Sequence, residues 1–96
     1  MLFALICTDR PGHLDLRLKV RPTHLAYLES LGAKLKAAGP FLDEAGNPNG
    51  TMVIVEAADV AAATAIAAND PYAIADLFSA TEIKPWRWTL KNPESK

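Results

Sequence analysis

His24 is the residue of this sequence whose type and position best suit acid–base chemistry. It follows Arg21 by three residues and precedes Leu28 by four, so these side chains lie on one side of a predicted helix. Leu31, three residues further on, lies on the same side. A histidine that is partly withdrawn from water beside an apolar stripe can titrate near neutral pH, as general acid–base catalysis requires. A half-buried histidine bonded to a backbone carbonyl is the competing structural interpretation.

Asp70 is the second candidate catalytic residue. It precedes Pro71, and this pair is typical of a helix N-cap followed by proline at the first helical position. Capping alone explains the aspartate, but the same carboxylate can also orient an imidazole. Tyr72 is a candidate wall of the same pocket, although a core tyrosine is the more usual explanation. Arg21, alone or with Arg17, is a candidate group for an anionic substrate, and a solvated helix face explains these arginines equally well.

The sequence offers little for metal, redox or nucleotide chemistry. Cys7 is the single cysteine, so an intrachain disulfide and paired zinc thiolates are excluded. Its apolar neighbours predict an inert thiol with a raised pKa. The two histidines show no close spacing to acidic residues, and no glycine-rich phosphate loop is present. We therefore expect neither a metal nor a cofactor.

Composition bounds the size of the domain and its partners. The chain has 96 residues, 50% hydrophobic and 22% charged, so we expect one domain over residues 1–96 with a buried core. With a formal net charge of −1, the chain has no excess of basic residues to neutralise the phosphates of a nucleic acid. The segment Trp86-Arg87-Trp88 could stack on bases, but tryptophans buried at a dimer interface explain it better. The apolar run at residues 1–8 is too short for a membrane span or a signal peptide. We expect a cytoplasmic protein with no nucleic-acid or membrane partner.

The first third of the chain predicts a strand and a helix. Residues 2–8 are apolar on both faces, which is typical of a central strand. Residues 14–31 have a helical period, and because proline disfavours helical backbone in the residue before it, we expect a break or kink near Arg21 and a second segment from Pro22. Gly32 suits a left-handed helix end. The predicted apolar stripe of this helix contains four leucines: Leu14, Leu18, Leu25 and Leu28.

The remainder predicts three strands and a second helix. Residues 34–41 alternate as an edge strand with Pro40, and one side carries Leu35, Ala37, Gly39 and Phe41. Residues 43–50 have hairpin-loop chemistry, and residues 51–57 are apolar on both faces as a second central strand. The alanine-rich residues 59–68 predict a helix, and residues 70–76 a short helical turn. Residues 81–90 predict an edge strand containing Pro85, with one face formed by Trp86, Trp88 and Leu90.

The predicted order is therefore β-α-β-β-α-β. This order matches the α+β ferredoxin-like arrangement, a four-stranded antiparallel sheet with both helices on one face. The opposite face carries half of each apolar central strand and has no cover within one chain. We infer a homodimer in which two such sheets close face to face.

Several segments in this order carry a family resemblance. They are the first strand ending in Asp9, Arg21-Pro22-Thr23-His24-Leu25, Ala38-Gly39-Pro40, Asp70-Pro71-Tyr72 and Ile83-Lys84-Pro85-Trp86. Together they cover nearly the whole chain and resemble the YciI-like (YCII-related domain) family. The combination of His24 with Asp70-Pro71-Tyr72 is the specific part.

The resemblance implies a fold, a site and a type of reaction. It implies a ferredoxin-like domain that pairs into a dimeric α/β barrel, similar to muconolactone isomerase, with a pocket centred on His24 and Asp70. A related family member is a dehydrochlorinase of a chlorinated hydroxyquinol, which implies cofactor-free acid–base elimination on small ring compounds. The family often has glycine where this chain has Asp76, which would add a negative charge near the pocket.

Two classes of function stay open at this stage. In the first, a lyase- or isomerase-type enzyme uses His24 to shuttle a proton and Asp70 to orient the imidazole, while Arg21 and Tyr72 contact the substrate. In the second, a non-catalytic dimeric module binds a small molecule or a protein, and the same residues are structural. A cofactor-free oxygenase acting on a phenol is a further enzymatic alternative, since the dimeric barrel also hosts such enzymes.

Overall fold

Four strands and three α-helices make up residues 1–94, which the computed structural model of the chain describes. The strands are β1 (Leu2–Asp9), β2 (Leu35–Leu42), β3 (Pro48–Glu56) and β4 (Phe78–Trp86). The helices are α1 (Leu14–Ser30), α2 (Val60–Ala68) and the single turn α3 (Pro71–Ile74), and a 3-10 turn at Gly32–Lys34 follows α1. The predicted βαββαβ order is confirmed, with α3 as the predicted short turn. No helix within residues 1–94 is long and apolar enough to cross a membrane.

The strands form one antiparallel sheet in the order β2-β3-β1-β4. The two strands that are apolar on both faces, β1 and β3, lie in the centre as predicted. The edge strands carry Pro40 and Pro85, because an edge strand tolerates a residue that cannot donate a backbone hydrogen bond. The assignment of central and edge strands is therefore confirmed.

One face of the sheet packs against the two long helices and forms the core. Alternate residues of β1 and β3 point to this face because successive side chains of a strand alternate. Alanines on α2 have small side chains, which let that helix lie close to the strands. The buried cluster consists of Phe3, Leu5, Leu28, Val53, Val55, Ala63 and Ala67. Both long helices thus cover the same face, as expected.

Helix α1 continues through Pro22 without a break, so the predicted second segment beginning at Pro22 is wrong. Proline removes the amide that would donate to the Leu18 carbonyl. Leu18 is 54% exposed, and on this side of the helix water can supply the missing hydrogen bond. Gly32 has a φ of +59°, which confirms the predicted left-handed end of the helix.

The buried side of α1 also differs from the predicted leucine stripe. Its buried residues are Arg17, His24 and Leu28, whereas Leu18 and Leu25 are 54% and 39% exposed. Polar side chains can occupy this side because Arg17 and His24 each contact an aspartate from another element. Leu18 and Leu25 instead line a cavity beside these groups.

A register shift in β2 corrects the predicted alternation of that strand. Leu35 pairs with Val55 and packs against the core, whereas Ala37 pairs with Ile54 on the other face. The shift between Leu35 and Ala37 places one extra residue in the edge strand, as a β-bulge does. Simple two-residue periodicity predicted Leu35 and Ala37 on the same face of the sheet, but the bulge places them on opposite faces.

The last strand begins and ends earlier than predicted. It spans Phe78–Trp86 rather than residues 81–90. Trp86 pairs with Leu2, the first residue of β1, so the strand ends where its neighbour begins. Trp88 and Leu90 lie beyond the strand, although the Trp88 ring stays 5.8 Å from that of Trp86.

The face opposite the helices carries an apolar surface that no other strand or helix of residues 1–94 covers. Ala4 and Ile6 of β1 and Met52 and Ile54 of β3 line a groove of about 450 Å³ there, with Trp86 at its edge. Met52 and Trp86 are 38% and 40% exposed. We refer to this groove-bearing surface as the open face.

Candidate active site

His24 on α1 and Asp70 at the start of α3 form a hydrogen-bonded pair. The Nδ1 atom of His24 lies 2.9 Å from both carboxylate oxygens of Asp70, and the two side chains are 6% and 8% exposed. An ionised carboxylate can only accept a hydrogen bond, so Nδ1 carries the proton and its N–H group donates to the oxygens of Asp70. The other ring nitrogen, Nε2, is then the basic atom of the neutral imidazole. The structure thus brings together the two residues that the sequence suggested as a pair, 46 positions apart.

Asp70 also caps the helical turn that it precedes. Its Oδ1 atom accepts a hydrogen bond of 2.9 Å from the backbone N–H of Tyr72, and Pro71 occupies the first helical position. The predicted N-cap is therefore present. One carboxylate serves the cap and the imidazole together, so the local and the functional interpretations of Asp70 are compatible.

Tyr72 lies against the two buried polar side chains of α1, Arg17 and His24. Its ring stacks on the His24 imidazole with centroids 3.9 Å apart and an angle of 16° between the planes. The guanidinium carbon of Arg17 lies 4.6 Å from the centre of the same ring. Burial raises the pKa of the Tyr72 phenol above its ordinary value, although the guanidinium groups of Arg17 and Arg21 lower it. The phenol is therefore protonated at neutral pH and can donate a hydrogen bond.

Arg17 forms a buried ion pair with Asp9 at the end of β1. Its Nε and Nη2 atoms donate to the two oxygens of Asp9 at 2.7 and 3.1 Å, and Nη2 also donates to the Thr51 hydroxyl on β3. This two-point geometry fixes the plane of the guanidinium, and each charge compensates the other. The alternative of a solvated surface residue is wrong for Arg17, since both side chains are almost fully buried.

A cavity of about 210 Å³ opens beside these groups, between α1 and strands β2 and β3. Its apolar walls include leucines of α1 and small residues of β2. Its polar walls are Arg17, Arg21, His24, Thr51 and Tyr72. Since a 150 Å³ apolar cavity can hold benzene, this volume suits a molecule of about one substituted six-membered ring.

His24 lines this cavity, and Nε2 is the ring nitrogen that its contact with Asp70 leaves unbonded. No group within residues 1–94 hydrogen-bonds to Nε2, and in the same range no fully buried polar side-chain atom lacks a partner. The atom must therefore keep access to solvent, and the cavity is the space that His24 lines. With Nδ1 bonded to Asp70, Nε2 is the ring nitrogen left for a molecule in the cavity that His24 lines.

Arg21 and Asp76 occupy different surroundings. Arg21 is exposed and lines the cavity, where it can reach a ligand. Asp76 is not among the residues that line the cavity. Its exposed side chain forms an ion pair of 2.9 Å with Arg10. Its φ of +62° is a left-handed conformation, which explains physically why glycine suits this position.

Cys7 lies in β1 and has the character predicted for it. Burial raises the pKa of its thiol from 9.0 to about 11, although a hydrogen bond with Thr81 opposes this. The thiol is therefore protonated at neutral pH and a poor nucleophile. The described part of the chain contains no group of three histidine, cysteine or acidic side chains placed to hold a metal ion.

Sequence reasoning missed the connection between Asp9, Arg17 and Thr51. Arg17 is separated from its partners by 8 and 34 positions, and its contact with Thr51 depends on which strands lie side by side. A weak signal was present, because Arg17 precedes His24 by seven residues and so lies on the same side of a helix.

Comparison with known proteins shows which proteins this chain resembles. The sequence profile of the YCII-related domain matches residues 1–87. Protein YciI of Escherichia coli is 35% identical over 95 residues, which covers 91% of this chain and 97% of that protein. An uncharacterized protein of Haemophilus influenzae is also 35% identical, over 96 residues and with the same shares of the two chains.

Solved structures show the same fold. The 5-chloro-2-hydroxyhydroquinone dehydrochlorinase TftG of Burkholderia phenoliruptrix, in complex with 2,5-dihydroxybenzoquinone, has a TM-score of 0.83 at 37% identity, covering 91% of this chain and 94% of its own. SnoaB, a cofactor-independent oxygenase of Streptomyces nogalater, has a TM-score of 0.56 at 13% identity and covers 95% and 96%, which shows a shared fold alone. From the profile match and the identities to its relatives, this chain belongs to the YCII-related domain family.

Proposed function

We propose that the protein is an enzyme of the lyase or isomerase type that transfers protons on a small molecule held in the cavity. The observation that carries this proposal is the contact of 2.9 Å between His24 Nδ1 and Asp70, which leaves Nε2 as a base that the cavity can reach. Asp70 orients the ring and keeps the proton on Nδ1, so Nε2 is already the basic atom when the substrate binds. The similarity to a dehydrochlorinase at 37% identity supports chemistry of this type.

The proposed reaction uses side chains alone. In an elimination, Nε2 of His24 takes a proton from the substrate, and the electron pair of that bond forms a new π bond. The leaving group departs with its own bonding pair, so no external oxidant or reductant is needed. In an isomerisation, the same nitrogen returns the proton to another atom. Asp70 stabilises the imidazolium in both cases by accepting from Nδ1–H.

Arg21 and Tyr72 have supporting roles in this proposal. Arg21 lines the exposed side of the cavity and binds an anionic substituent of the substrate. Tyr72 forms a wall, and its ring holds the imidazole by stacking at 3.9 Å. Its protonated phenol offers one further hydrogen bond to the substrate.

Chloride release from 5-chloro-2-hydroxyhydroquinone under argon tests the proposal. We expect turnover by the unmodified protein and a loss of about 10²–10⁴-fold in His24→Gln and Asp70→Asn. His13→Gln is the matched control, because His13 bonds the Pro11 carbonyl and does not line the cavity. Full turnover in folded His24→Gln protein would refute the mechanism. Binding of 2,5-dihydroxybenzoquinone without turnover, unchanged in His24→Gln, would instead indicate the non-catalytic binding module.

We also propose that two copies of the chain form a homodimer through the open face. Half-exposed Met52 and Trp86 and the apolar groove between them support this, because burying such a surface stabilises an association. Sedimentation equilibrium is expected to give twice the chain mass, and Met52→Lys to shift the protein toward the monomer. A stable monomer at micromolar concentration would contradict the dimer without bearing on the cavity.

A further inference from the structure

The helical turn α3 is closed at its C-terminal end by Asp76. The amide of Asp76 donates to the Ala73 carbonyl at 3.0 Å, and the amide of Leu77 donates to the Tyr72 carbonyl at 3.0 Å. These two hydrogen bonds are the pattern of a Schellman motif, which has a left-handed residue just after the helix. Asp76 is that residue, with a φ of +62°. The backbone of Tyr72, whose ring stacks on His24, is thus held by the turn at Asp76.

The left-handed conformation is unfavourable for Asp76 by itself. A side chain crowds the following carbonyl oxygen in this conformation, although aspartate tolerates it better than most residues do. Asp76 and Lys91 are the two non-glycine residues with a positive φ within residues 1–94. Lys91 follows β4, whereas Asp76 belongs to the segment that carries Asp70 and Tyr72. Backbone strain of this kind persists where surrounding contacts hold the residue in place.

Arg10 supplies such contacts to Asp76. Its Nε atom donates to the Asp76 carbonyl at 3.0 Å, and its Nη2 atom donates to Oδ1 of the Asp76 side chain at 2.9 Å. The backbone amide of Arg10 donates to the Leu77 carbonyl at 2.8 Å, so the residue after β1 is joined to both residues that close α3. Because one guanidinium bonds the carbonyl and the carboxylate of Asp76, it favours the conformation that brings these two acceptors together.

The closure of α3 matters for the candidate site because this helix is a single turn. Its four residues are too few for a helix that is stable alone, so α3 depends on its caps and its packing. Asp70 caps the N-terminal end, and Asp76 closes the C-terminal end. The same turn holds two groups that contact the His24 imidazole, the Asp70 carboxylate at 2.9 Å and the Tyr72 ring at 3.9 Å. Loosening of the C-terminal end would therefore disturb the groups that orient the base.

We propose that Arg10 and Asp76 are positioning residues for the His24–Asp70 pair. Arg10 holds Asp76 in the left-handed conformation that closes α3, and the closed turn keeps the Tyr72 ring and the Asp70 carboxylate against the imidazole. Neither Arg10 nor Asp76 lines the cavity, so they act through α3 rather than on the substrate. The inference deepens the proposed function and rests on it for the reaction that this arrangement serves.

Arg10→Gln and the double variant Arg10→Gln/Asp76→Gly test the inference in the chloride-release assay. Arg10→Gln removes both guanidinium contacts and leaves the strained aspartate. A displacement of about 1 Å can cost about 100-fold in rate, and the buried Tyr72 keeps part of the alignment, so we expect a loss of about three- to tenfold. Glycine adopts a φ of +62° without help, so the double variant is expected to recover to within about twofold of the unmodified protein. Glu94→Gln, the matched control, weakens an ion pair of 2.8 Å with Lys36 outside the cavity and is expected to leave turnover unchanged.

Proton NMR of the His24 ring tests the same inference without turnover. The Tyr72 ring, stacked at 3.9 Å, shifts the His24 ring signals upfield, and this shift is expected to shrink in Arg10→Gln and to return in the double variant. Asp76→Ala keeps the strain and loses the carboxylate, so its signals are expected to change in the same direction as those of Arg10→Gln. An ion pair that only stabilises the fold would leave these signals of the folded protein where they are.

Unchanged His24 ring signals in folded Arg10→Gln and Asp76→Ala, or no recovery in the double variant, would overturn the inference. These outcomes are distinct from a failure of the proposed function. If the unmodified protein releases no chloride, the proposed reaction is wrong, and the NMR signals still decide whether Arg10 and Asp76 position the imidazole and its partners.

Discussion

Asp70 caps α3 and also contacts His24, and comparing two substitutions at this position distinguishes the effects of the two contacts. Its Oδ1 atom caps α3 through the Tyr72 amide, and both of its oxygens contact Nδ1 of His24. Alanine removes both contacts. Asparagine caps helices about as well as aspartate, so Asp70→Asn keeps the cap and changes only the group that faces the imidazole.

The expected losses of stability follow from these contacts. Loss of an N-cap costs about 1 kcal/mol, and leaving the buried Nδ1–H of His24 without an acceptor costs about 1–3 kcal/mol. We therefore expect Asp70→Ala to lower the free energy of unfolding by about 2–4 kcal/mol. In Asp70→Asn the cap stays, and the new amide can donate to an unprotonated Nδ1, so only the charge of this hydrogen bond is lost and the expected loss is about 1 kcal/mol.

The two substitutions also differ in what they do to the imidazole. In Asp70→Asn the side-chain oxygen stays on the Tyr72 amide, and the amide nitrogen faces Nδ1 of His24 and can only donate. The proton of the neutral ring is therefore expected to move from Nδ1 to Nε2, which removes the base from the cavity.

Urea denaturation and nitrogen NMR of the histidine ring check these two expectations. The first measures the free energies of unfolding of the two variants, and the second reports which ring nitrogen is protonated. An equal loss of stability in both variants would show that the cap does not depend on Asp70. A His24 ring still protonated at Nδ1 in Asp70→Asn would refute the argument that this carboxylate selects the tautomer.

Two further predictions concern β1 and its neighbours. The pKa of Cys7 is raised from 9.0 to about 11, so the unfolded thiol ionises first, and the free energy of unfolding falls as pH rises through this window. Urea denaturation is expected to show this extra loss, at most about 1.4 kcal/mol per pH unit, in the unmodified protein and not in Cys7→Ala; parallel pH dependences would contradict it. A Cβ added at Gly50 would lie 2.6 Å from the Cys7 carbonyl oxygen, so Gly50→Ala is expected to lower stability by about 1–3 kcal/mol. Gly39→Ala, with no atom within 4 Å of its added Cβ, is the control, and equal thermal midpoints for the two variants would argue against the clash.

The candidate site is held together by the start of α3 and the end of β1. α3 begins immediately after α2 and faces α1, so the capping carboxylate of Asp70 meets His24 without an intervening loop. The end of β1 supplies Asp9 to hold Arg17, which lies against the same Tyr72 ring. The side chains of His24 and Arg17 are thus fixed by different elements around one aromatic ring.

The sequence by itself determined the features that follow local rules. Two strands with apolar side chains on both faces must lie inside a sheet, and proline places the other two at its edges. The left-handed end of α1 at Gly32 and the cap by Asp70 likewise follow from single residues and their immediate neighbours. The His24–Asp70 pair could be predicted because the element order and the family resemblance together indicated that the two segments lie close to each other.

The tertiary structure decided what depends on neighbours distant in the chain. The sequence places Arg17 on the same helix as His24, but only the adjacency of β1 and β3 supplies Asp9 and Thr51, which allow it to be buried. The end of β4 at Trp86 is likewise set by where its partner strand begins. Hydrogen bonds between strands and the pairing of buried charges are satisfied only when separate segments meet. The side of α1 that is buried therefore follows from the assembled fold.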